Sequence, residues 1–369
     1  MLRASLLCCS LLALPLMPLA QTTASSLEVV ARIEHPDFSG IAITPDGRMF
    51  LGFPRHDVDH NEATLAEYKD GKLTPYPNRE ISLPGIADPA KRLVSVHGMT
   101  TDTRGRLWLI DDGKEAGKPI VNGAVKVVGI DPGTNKVIAW LTLPSGVWLP
   151  KSHMNDLRVD LTHGAQGTVF ITDSSFGDEP ALVVVDVATG KARRLFEHSR
   201  FTAADPQLLA YLEGRPHRYN KEHAEMPQGG ADGIELSADS ATLYWTAISG
   251  RKLWAAPTAL LADANASAAQ LDAAVKDLGE RPLADGLARD PQGRLLFGAY
   301  DQRSLLRREA DGRFTLIVHD DRLSWPDGLF AQGGYLYVTL GQYNRLPSMN
   351  GGHDLRQPPY EIVRVKLPQ

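Results

Sequence analysis

The sequence predicts an all-β protein, namely a six-bladed β-propeller whose ring is closed by an N-terminal strand that completes the last blade. Three observations lead to this fold class: a strand-turn-strand pattern recurs six times, a second hairpin follows most copies, and the last copy lacks one strand. The chain has 369 residues and a formal net charge of −5. A chain of this length forms either two domains or one repeat architecture.

The first element is a leader that does not belong to the fold. Arg3 precedes an apolar run, and small polar residues follow that run. This order is typical of a secretory signal peptide, and the run is too short to span a bilayer. We therefore assign residues 1–24 to a signal peptide, cleaved after Ala20 or Ala24, and residues 25–369 to the propeller. We expect a periplasmic or extracellular protein with no stable membrane insertion after cleavage.

Cysteine use and charge exclude several classes of function. Both cysteines, Cys8 and Cys9, lie in the predicted leader. A disulfide framework, a thiolate metal site and a cysteine nucleophile are therefore excluded from the mature chain. The acidic balance, together with the lack of a basic run or an aromatic RNA-binding motif in the sequence, argues against nucleic acid as a partner. We expect a small-molecule ligand instead.

The repeat consists of a short polar residue, often followed by glycine, then a turn rich in Asp, Pro and Gly, and then an alternating apolar strand. Its six copies are Ser39–Phe53, His97–Asp112, Asn155–Asp173, Asp232–Ile248, Asp285–Tyr300 and Asp327–Leu340. Glycines at the tips supply the positive φ of tight hairpin turns, and the following strands are rich in aromatic and β-branched residues. A two-domain β-sandwich is the alternative, but it does not explain six similarly spaced copies.

The remaining strands complete the blades. Second hairpins are predicted, for example, at Val125–Leu143, Leu182–Phe196 and Ser304–Val318. Four strands per repeat, six times over, describe a propeller. The last repeat has only three strands, and we expect Leu27–Ile33 to supply its outer strand, which would leave few exposed sheet edges.

Two segments interrupt the period. Ser199–Ala231 is long, polar and rich in proline, and it is expected to cover one mouth of the channel. Thr258–Val275 is rich in alanine and predicts a short helix within blade four.

The residue that opens each copy starts the innermost strand of a blade, so the six equivalent positions are expected to form a ring at one channel mouth. We call this ring the collar; it consists of Ser39, His97, Asn155, Asp232, Asp285 and Asp327, with Asp156 beside Asn155. Three interpretations remain open. These residues cap and turn the backbone, or their oxygen atoms bind Ca²⁺ or another divalent cation. Alternatively, they form a ligand pocket whose acids meet a cationic amine and whose His97 transfers protons. His153 is a further candidate ligand-binding residue, with no other metal-binding side chain at ligand spacing beside it in the sequence.

Several motifs resemble the yellow/major royal jelly protein family. They are Met154–Asp160 with Phe170–Ser174, Leu182–Asp186 with His198–Phe201, Asp232–Ser237 with Leu243–Trp245, and Leu253–Thr258. The resemblance runs in order over nearly the whole mature chain. It implies a secreted six-bladed propeller with a central ligand channel. Members of this family include insect proteins linked to dopachrome conversion and salivary proteins that bind biogenic amines, and bacterial relatives are described as dopachrome-tautomerase-related.

A more distant resemblance is to gluconolactonase/regucalcin propellers, which place a divalent metal on the channel axis. The strand starts at Asn155, Asp232 and Asp285, together with Trp325–Gly328, look similar. This resemblance implies a metal held by Asn155, Asp232 and Asp285. However, Ser39 stands where the family has an acidic ligand.

The sequence therefore leads to one main hypothesis and two alternatives. The main hypothesis is a propeller that binds a small polar or aromatic molecule and acts as a dopachrome-type tautomerase, in which His97 transfers a proton while Asp232, Asp285 and Asp327 orient the substrate. The alternatives are a metal-dependent lactonase and a non-catalytic amine-binding protein.

Overall fold

Six antiparallel four-stranded sheets form the molecule, and the innermost strands of neighbouring sheets contact one another around the ring. The computed structural model describes residues 26–85, 87–175, 179–218 and 229–368. The predicted leader lies outside these residues. Among the described helices, none has the length and apolar character needed to cross a bilayer.

The first half of the ring follows the chain order. Strand β1 (Glu28–Ile33) comes first and belongs to the last blade. Blade one consists of β2 (Ile41–Ile43), β3 (Met49–Gly52), β4 (Leu65–Lys69) and β5 (Lys72–Pro75), and the short helix α1 (Arg79–Ser82) follows it. Blade two consists of β6 (Val96–Thr101), β7 (Leu107–Asp111), β8 (Lys126–Asp131) and β9 (Lys136–Thr142). Blade three consists of β10 (Met154–Asp160), β11 (Thr168–Asp173), β12 (Ala181–Asp186) and β13 (Ala192–Leu195).

The second half begins after a separate hairpin of β14 (Leu209–Leu212) and β15 (Arg215–Arg218). Blade four consists of β16 (Ala231–Leu236), β17 (Thr242–Ala247), β18 (Lys252–Pro257) and β19 (Lys276–Glu280). Blade five consists of β20 (Ala284–Arg289), β21 (Leu295–Ala299), β22 (Ser304–Arg308) and β23 (Phe314–His319). Blade six consists of β24 (Pro326–Gln332), β25 (Tyr335–Leu340), β26 (Tyr360–Lys366) and β1.

The N-terminal strand closes the ring, as predicted. Strand β1 pairs antiparallel with β26, and Ile33 lies opposite Tyr360. Ala31 and Ile33 are buried in one apolar cluster with Ile362 of blade six and Leu51 of blade one. The first and last parts of the chain therefore share one blade, which gives β26 a partner on both sides.

The hydrophobic core lies between the blades and not in one central mass. Six apolar clusters occupy the contacts between successive blades, including the contact between blades six and one. In the cluster between blades two and three, for example, Trp108 and Val127 pack with Val169 and Val183. This arrangement leaves the axis free for polar side chains.

The predicted helix in blade four is present as two short helices between β18 and β19, namely α2 (Thr258–Ala262) and α3 (Ala268–Ala274). The second helix starts at a capping box formed by Ser267 and Gln270. The Ser267 side chain accepts a hydrogen bond from the backbone N–H of Gln270, and the Gln270 side chain accepts one from the backbone N–H of Ser267. Leu261 and Leu271 are buried against the core between blades three and four, so both helices cover that core.

Candidate functional site

The inner strands carry a β-bulge at the collar. In blades two to six the register of the innermost strand shifts across the collar residue, for example between Met154 and Leu157 and between Ala284 and Leu287. A bulge interrupts the ladder and turns a side chain away from the ordinary alternation. The repeated bulges therefore explain how one polar side chain in each of these five blades reaches the axis.

Glycine follows the collar residue in every blade except the third, where Asp156 takes its place. A Cβ atom at Gly286 would lie 1.8 Å from the carbonyl oxygen of Asp327, and one at Gly40 would lie 2.1 Å from that of His97. Any side chain there would force neighbouring inner strands apart. The recurring polar-glycine pair thus brings the collar residues close together.

A cavity of about 540 Å³ opens at the collar end of the channel. Its walls include His97, Asn155, Asp232, Asp285 and Asp327 from the collar, and also His56, Lys114, His153, Ser174, Trp325 and Tyr343. Ser39 and Asp156 border a narrow space of about 20 Å³ farther along the channel. The volume of the larger cavity lies within the range of small-molecule sites.

Three buried carboxyl groups, Asp232, Asp285 and Asp327, form what we call the acidic floor of this cavity. Hydrogen bonds hold two of them in position. Asp232 accepts hydrogen bonds from the Asn155 amide and, at 2.8 Å, from the Ser174 hydroxyl. The Trp325 indole N–H donates to Asp285 Oδ2 at 2.6 Å. Trp325 is itself held by Tyr300, whose ring stacks on it at 4.2 Å between centroids. The carboxylates are therefore fixed in position by neighbouring side chains.

Burial shifts the acid–base properties of the floor. Burial raises the pKa of Asp232 to about 7. Burial, and then the charge of Asp232, raises the pKa of Asp285 well above its usual value, and burial with the charge of Asp285 does the same for Asp327. Carboxyl groups so close together cannot all be ionised, so they share protons near neutral pH.

Three histidines form a cluster in the same cavity. His56 follows β3, His97 lies in β6 and His153 directly precedes β10. Their ring centroids are 4.6 to 5.3 Å apart, and one ring nitrogen of each lies within 4.8 Å of the others. Burial lowers the pKa of all three well below the usual histidine value, so the imidazoles are neutral at neutral pH.

Two polar side chains contact the cluster from behind. The Asp112 side chain is fully buried, and its Oδ2 atom lies 3.2 Å from His153 Nδ1 and 3.7 Å from His56 Nδ1. Ser39 Oγ lies 3.3 Å from His97 Nδ1. Lys114 adds a positive charge nearby, although burial lowers its pKa.

The structure brings together most of the predicted site residues. His97, Asn155, Asp232, Asp285, Asp327 and His153 all border the larger cavity. Asp156 does not, because its carboxylate pairs with Arg158 at 2.9 Å and borders the narrow space instead. The Ser39 hydroxyl contacts His97, which places it behind the cavity wall.

Sequence reasoning missed His56, Asp112, Ser174 and Tyr343 as cavity or supporting residues. His153 has no metal-binding side chain at ligand spacing in the sequence, but His56 and His97 lie beside it in the structure. His56 lies in a loop outside the repeated motif, so no repeat position marks it. Asp112, by contrast, ends the second copy of the repeat, where it could have been noted.

The described part of the long insertion lies near the same mouth. Leu208, Ala210 and Leu212 pack with Trp325 and Tyr343, which border the cavity. This agrees with the expectation that the segment between blades three and four covers one mouth, within residues 199–218 and 229–231. Residues 219–228 lie outside the described part of the chain.

Solved structures with the same architecture extend over almost the whole chain. Virginiamycin B lyase from Staphylococcus aureus is 15% identical, with 93% of this chain and 100% of that chain covered and a TM-score of 0.51. A gluconolactonase from Xanthomonas campestris is 12% identical, with 93% and 90% covered and a TM-score of 0.52. The calcium-binding protein regucalcin from Agrobacterium tumefaciens is 15% identical, with 92% and 96% covered and a TM-score of 0.53. At these identities the similarity shows the fold alone.

The family comparison is more specific. A search of curated proteins finds no match to the chain. The family model described as major royal jelly protein matches residues 94–367. These residues include blades two to five and three strands of blade six, β24, β25 and β26. This match agrees with the motifs in blades three and four, and the chain therefore belongs to the major royal jelly protein family.

Proposed function

We propose that the channel cavity binds a small molecule with a cationic or polar group and an aromatic part, and that the acidic floor transfers a proton on it. The observation that carries this proposal is the set of three buried carboxyl groups, Asp232, Asp285 and Asp327, on one side of a cavity of about 540 Å³. They come from three consecutive blades, so the fold itself brings them together.

The floor offers both an acid and a base near neutral pH. Asp232, with a pKa of about 7, accepts a proton as the carboxylate, while Asp285 or Asp327, with their raised pKa values, supplies one. In an isomerisation, Asp232 removes a proton from one substrate atom and a protonated neighbour delivers one to another atom. The net change is a tautomer, with no other reactant consumed. In this arrangement the aspartates carry the proton transfer that the sequence hypothesis gave to His97.

The aromatic part of the ligand would contact Trp325 and Tyr343. Trp325 is held by its stack on Tyr300 and by its hydrogen bond to Asp285, so its ring is ordered before a ligand arrives. A cationic amine could then pair with the carboxylates while its ring packs on these side chains. The family resemblance to proteins linked to dopachrome conversion and to amine binding supports the same ligand class.

Calorimetry with dopamine, and an absorbance assay of dopachrome conversion, test the proposal. We expect the wild-type protein to bind dopamine, and Asp232→Asn and Asp285→Asn each to weaken binding at least about tenfold, because each variant loses a buried carboxyl group that would contact the ligand. Conversion should fall by about 10²- to 10⁴-fold in the same variants. Asp321→Asn is the matched control, since that side chain is 86% exposed and lies outside the cavity.

The outcomes separate the hypotheses. Binding without conversion would support the amine-binding function and contradict the tautomerase. Equal binding and conversion in the wild type, Asp232→Asn and Asp285→Asn would overturn the proposed role of the floor.

The lactonase alternative, with a metal on Asn155, Asp232 and Asp285, stays a prediction. Asn155 and Asp232 already hydrogen-bond to each other, so a metal there would have to replace that contact. Lactone hydrolysis that a chelator abolishes, and that Asn155→Ala removes, would favour this alternative over proton transfer on an amine.

A further inference from the structure

The three histidines of the cavity come from parts of the chain that are far apart in sequence. His56 lies between β3 and β4, His97 in the innermost strand of blade two, and His153 at the start of blade three. Their side chains are at most 8% exposed. Within the described residues, this is the cluster of histidine and acidic side chains whose ligand atoms approach closely enough to share a metal ion.

Two side-chain oxygen atoms lie behind the cluster, close to the second ring nitrogens of the histidines. Metal-binding histidines usually direct their second ring nitrogen to a carboxylate, a carbonyl or a hydroxyl group, which fixes the ring. Asp112 Oδ2 lies near Nδ1 of both His56 and His153, and Ser39 Oγ lies near Nδ1 of His97. Asp112 Oδ2 has no hydrogen-bond partner within the described residues, although it is completely buried. A cation bound to the histidines would stabilise this buried carboxyl group in its ionised form.

We propose that His56, His97 and His153 bind one divalent transition-metal ion of the zinc type, with an open coordination position that faces the cavity. Three imidazoles with one open position form a known catalytic zinc arrangement, and imidazole suits Zn²⁺, Co²⁺ and Cu²⁺ better than Ca²⁺ or Mg²⁺. Binding at about 2.0–2.1 Å requires the three ring nitrogens to move closer together than they are here.

The local charges mostly favour a cation. Asp112 places a carboxyl group behind the rings, the floor places further carboxyl groups across the cavity, and a bound cation would favour their ionised forms. Lys114 opposes binding, but Asp112 and Asp173 offset its charge.

The proposed metal occupies the same cavity as the proposed ligand but does not depend on that function. A metal here would bind a ring nitrogen of His97, and that nitrogen could then no longer transfer a proton. It would also place a Lewis acid next to the aspartate floor. The site differs from the regucalcin-type site, because its ligands are imidazoles and not the Asn155, Asp232 and Asp285 side chains.

Metal analysis on tag-free protein tests the proposal. The protein is treated with chelator, dialysed against Zn²⁺ or Co²⁺, and assayed for bound metal by mass spectrometry. We expect about one ion per chain in the wild type and in His353→Ala, an exposed histidine far from the cluster in sequence, and a loss of at least tenfold in affinity in His56→Ala and His153→Ala. Asp112→Asn should weaken affinity by about 10- to 100-fold, because it removes the carboxylate behind two of the ligands.

Visible absorption of the Co²⁺ form provides a second measurement, since nitrogen coordination in a four-coordinate site gives intense bands that solvated Co²⁺ lacks. Circular dichroism checks that each variant is folded, and His56→Gln or His153→Gln replaces the alanine variant at the same position if that variant is not folded. Wild-type protein that binds no Zn²⁺ or Co²⁺, or His56 and His153 variants that bind them as tightly as the wild type, would overturn the metal site. One bound metal with no dopamine binding would overturn only the proposed function.

Discussion

Asp232 is a collar residue whose carboxyl group lies in an environment that disfavours its charge. Its carboxyl group is buried, accepts hydrogen bonds from Asn155 and Ser174, and lies beside other carboxyl groups. Folding therefore costs free energy whenever this group is ionised. A cost of this kind is expected where function, and not stability, determines the residue.

This cost predicts a pH-dependent gain from Asp232→Asn. The pKa is raised from an ordinary value of 3.8 to about 7 in the folded state, so between these values the folded state holds a proton that the unfolded state releases. The free energy of unfolding of the wild type must then fall as pH rises through this window. Because Asn does not ionise, the stability of the variant relative to wild type should increase from pH 5 to pH 8, by up to about 3 kcal/mol.

Urea unfolding at both pH values measures the effect. The comparison uses the change between pH 5 and pH 8, so a constant loss of hydrogen bonding in the variant cancels out. Asp321→Asn, at an exposed position, should show no such change. An equal stability difference at both pH values would show that Asp232 is ionised at little cost.

At the scale of the strand, the polar-glycine pair is the unit that builds the site. The bulge turns the collar side chain to the axis, and the glycine lets the next inner strand approach. The sequence already contained this pair in five of the six copies, and turn chemistry predicted the hairpins around it. The close approach could not be predicted, because it depends on the backbone of the neighbouring blade.

Gly286→Ala tests this packing. A Cβ atom there would lie 1.8 Å from a carbonyl oxygen of β24, and the backbone cannot move away without separating blades five and six. We expect the free energy of unfolding to fall by about 1–3 kcal/mol or more. Binding of the cavity ligand should also weaken, because Asp285 and Asp327 lie at this contact.

Gly250→Ala is the matched control for Gly286→Ala. A Cβ atom at Gly250 would meet its nearest neighbour at 3.4 Å, which is ordinary contact, and its φ angle is not positive. Chemical unfolding of both variants provides the comparison. Equal stability of the two would contradict the role assigned to the inner-strand glycine.

At the scale of the whole molecule, the ring is held by contacts between the two ends of the chain. Strand β1 completes blade six, and its buried side chains join the cluster between blades six and one. A defect there should affect the whole ring, since a propeller opened at one contact exposes apolar surface and a sheet edge.

Ala31→Asp places a charge in this closure. Ala31 is 4% exposed, so an unpaired carboxylate would be buried in the apolar cluster. We expect a loss of several kcal/mol, observed as a fall in the unfolding midpoint. Arg32→Ala, at the next position, removes only a pair between Glu361 and a side chain that is 60% exposed, and should change stability by less than about 1 kcal/mol. Similar midpoints for both variants would show that the closing strand contributes little.

The sequence by itself determined the six hairpin repeats, the closing strand and the five collar residues that border the cavity, because turn chemistry and strand alternation are local properties of the chain. The tertiary structure alone decided that His56 and Asp112 join His97 and His153, and that Asp156 turns to Arg158 instead of the cavity. These contacts join loops and strand ends of different blades, and no local pattern specifies the distance between them until the ring closes.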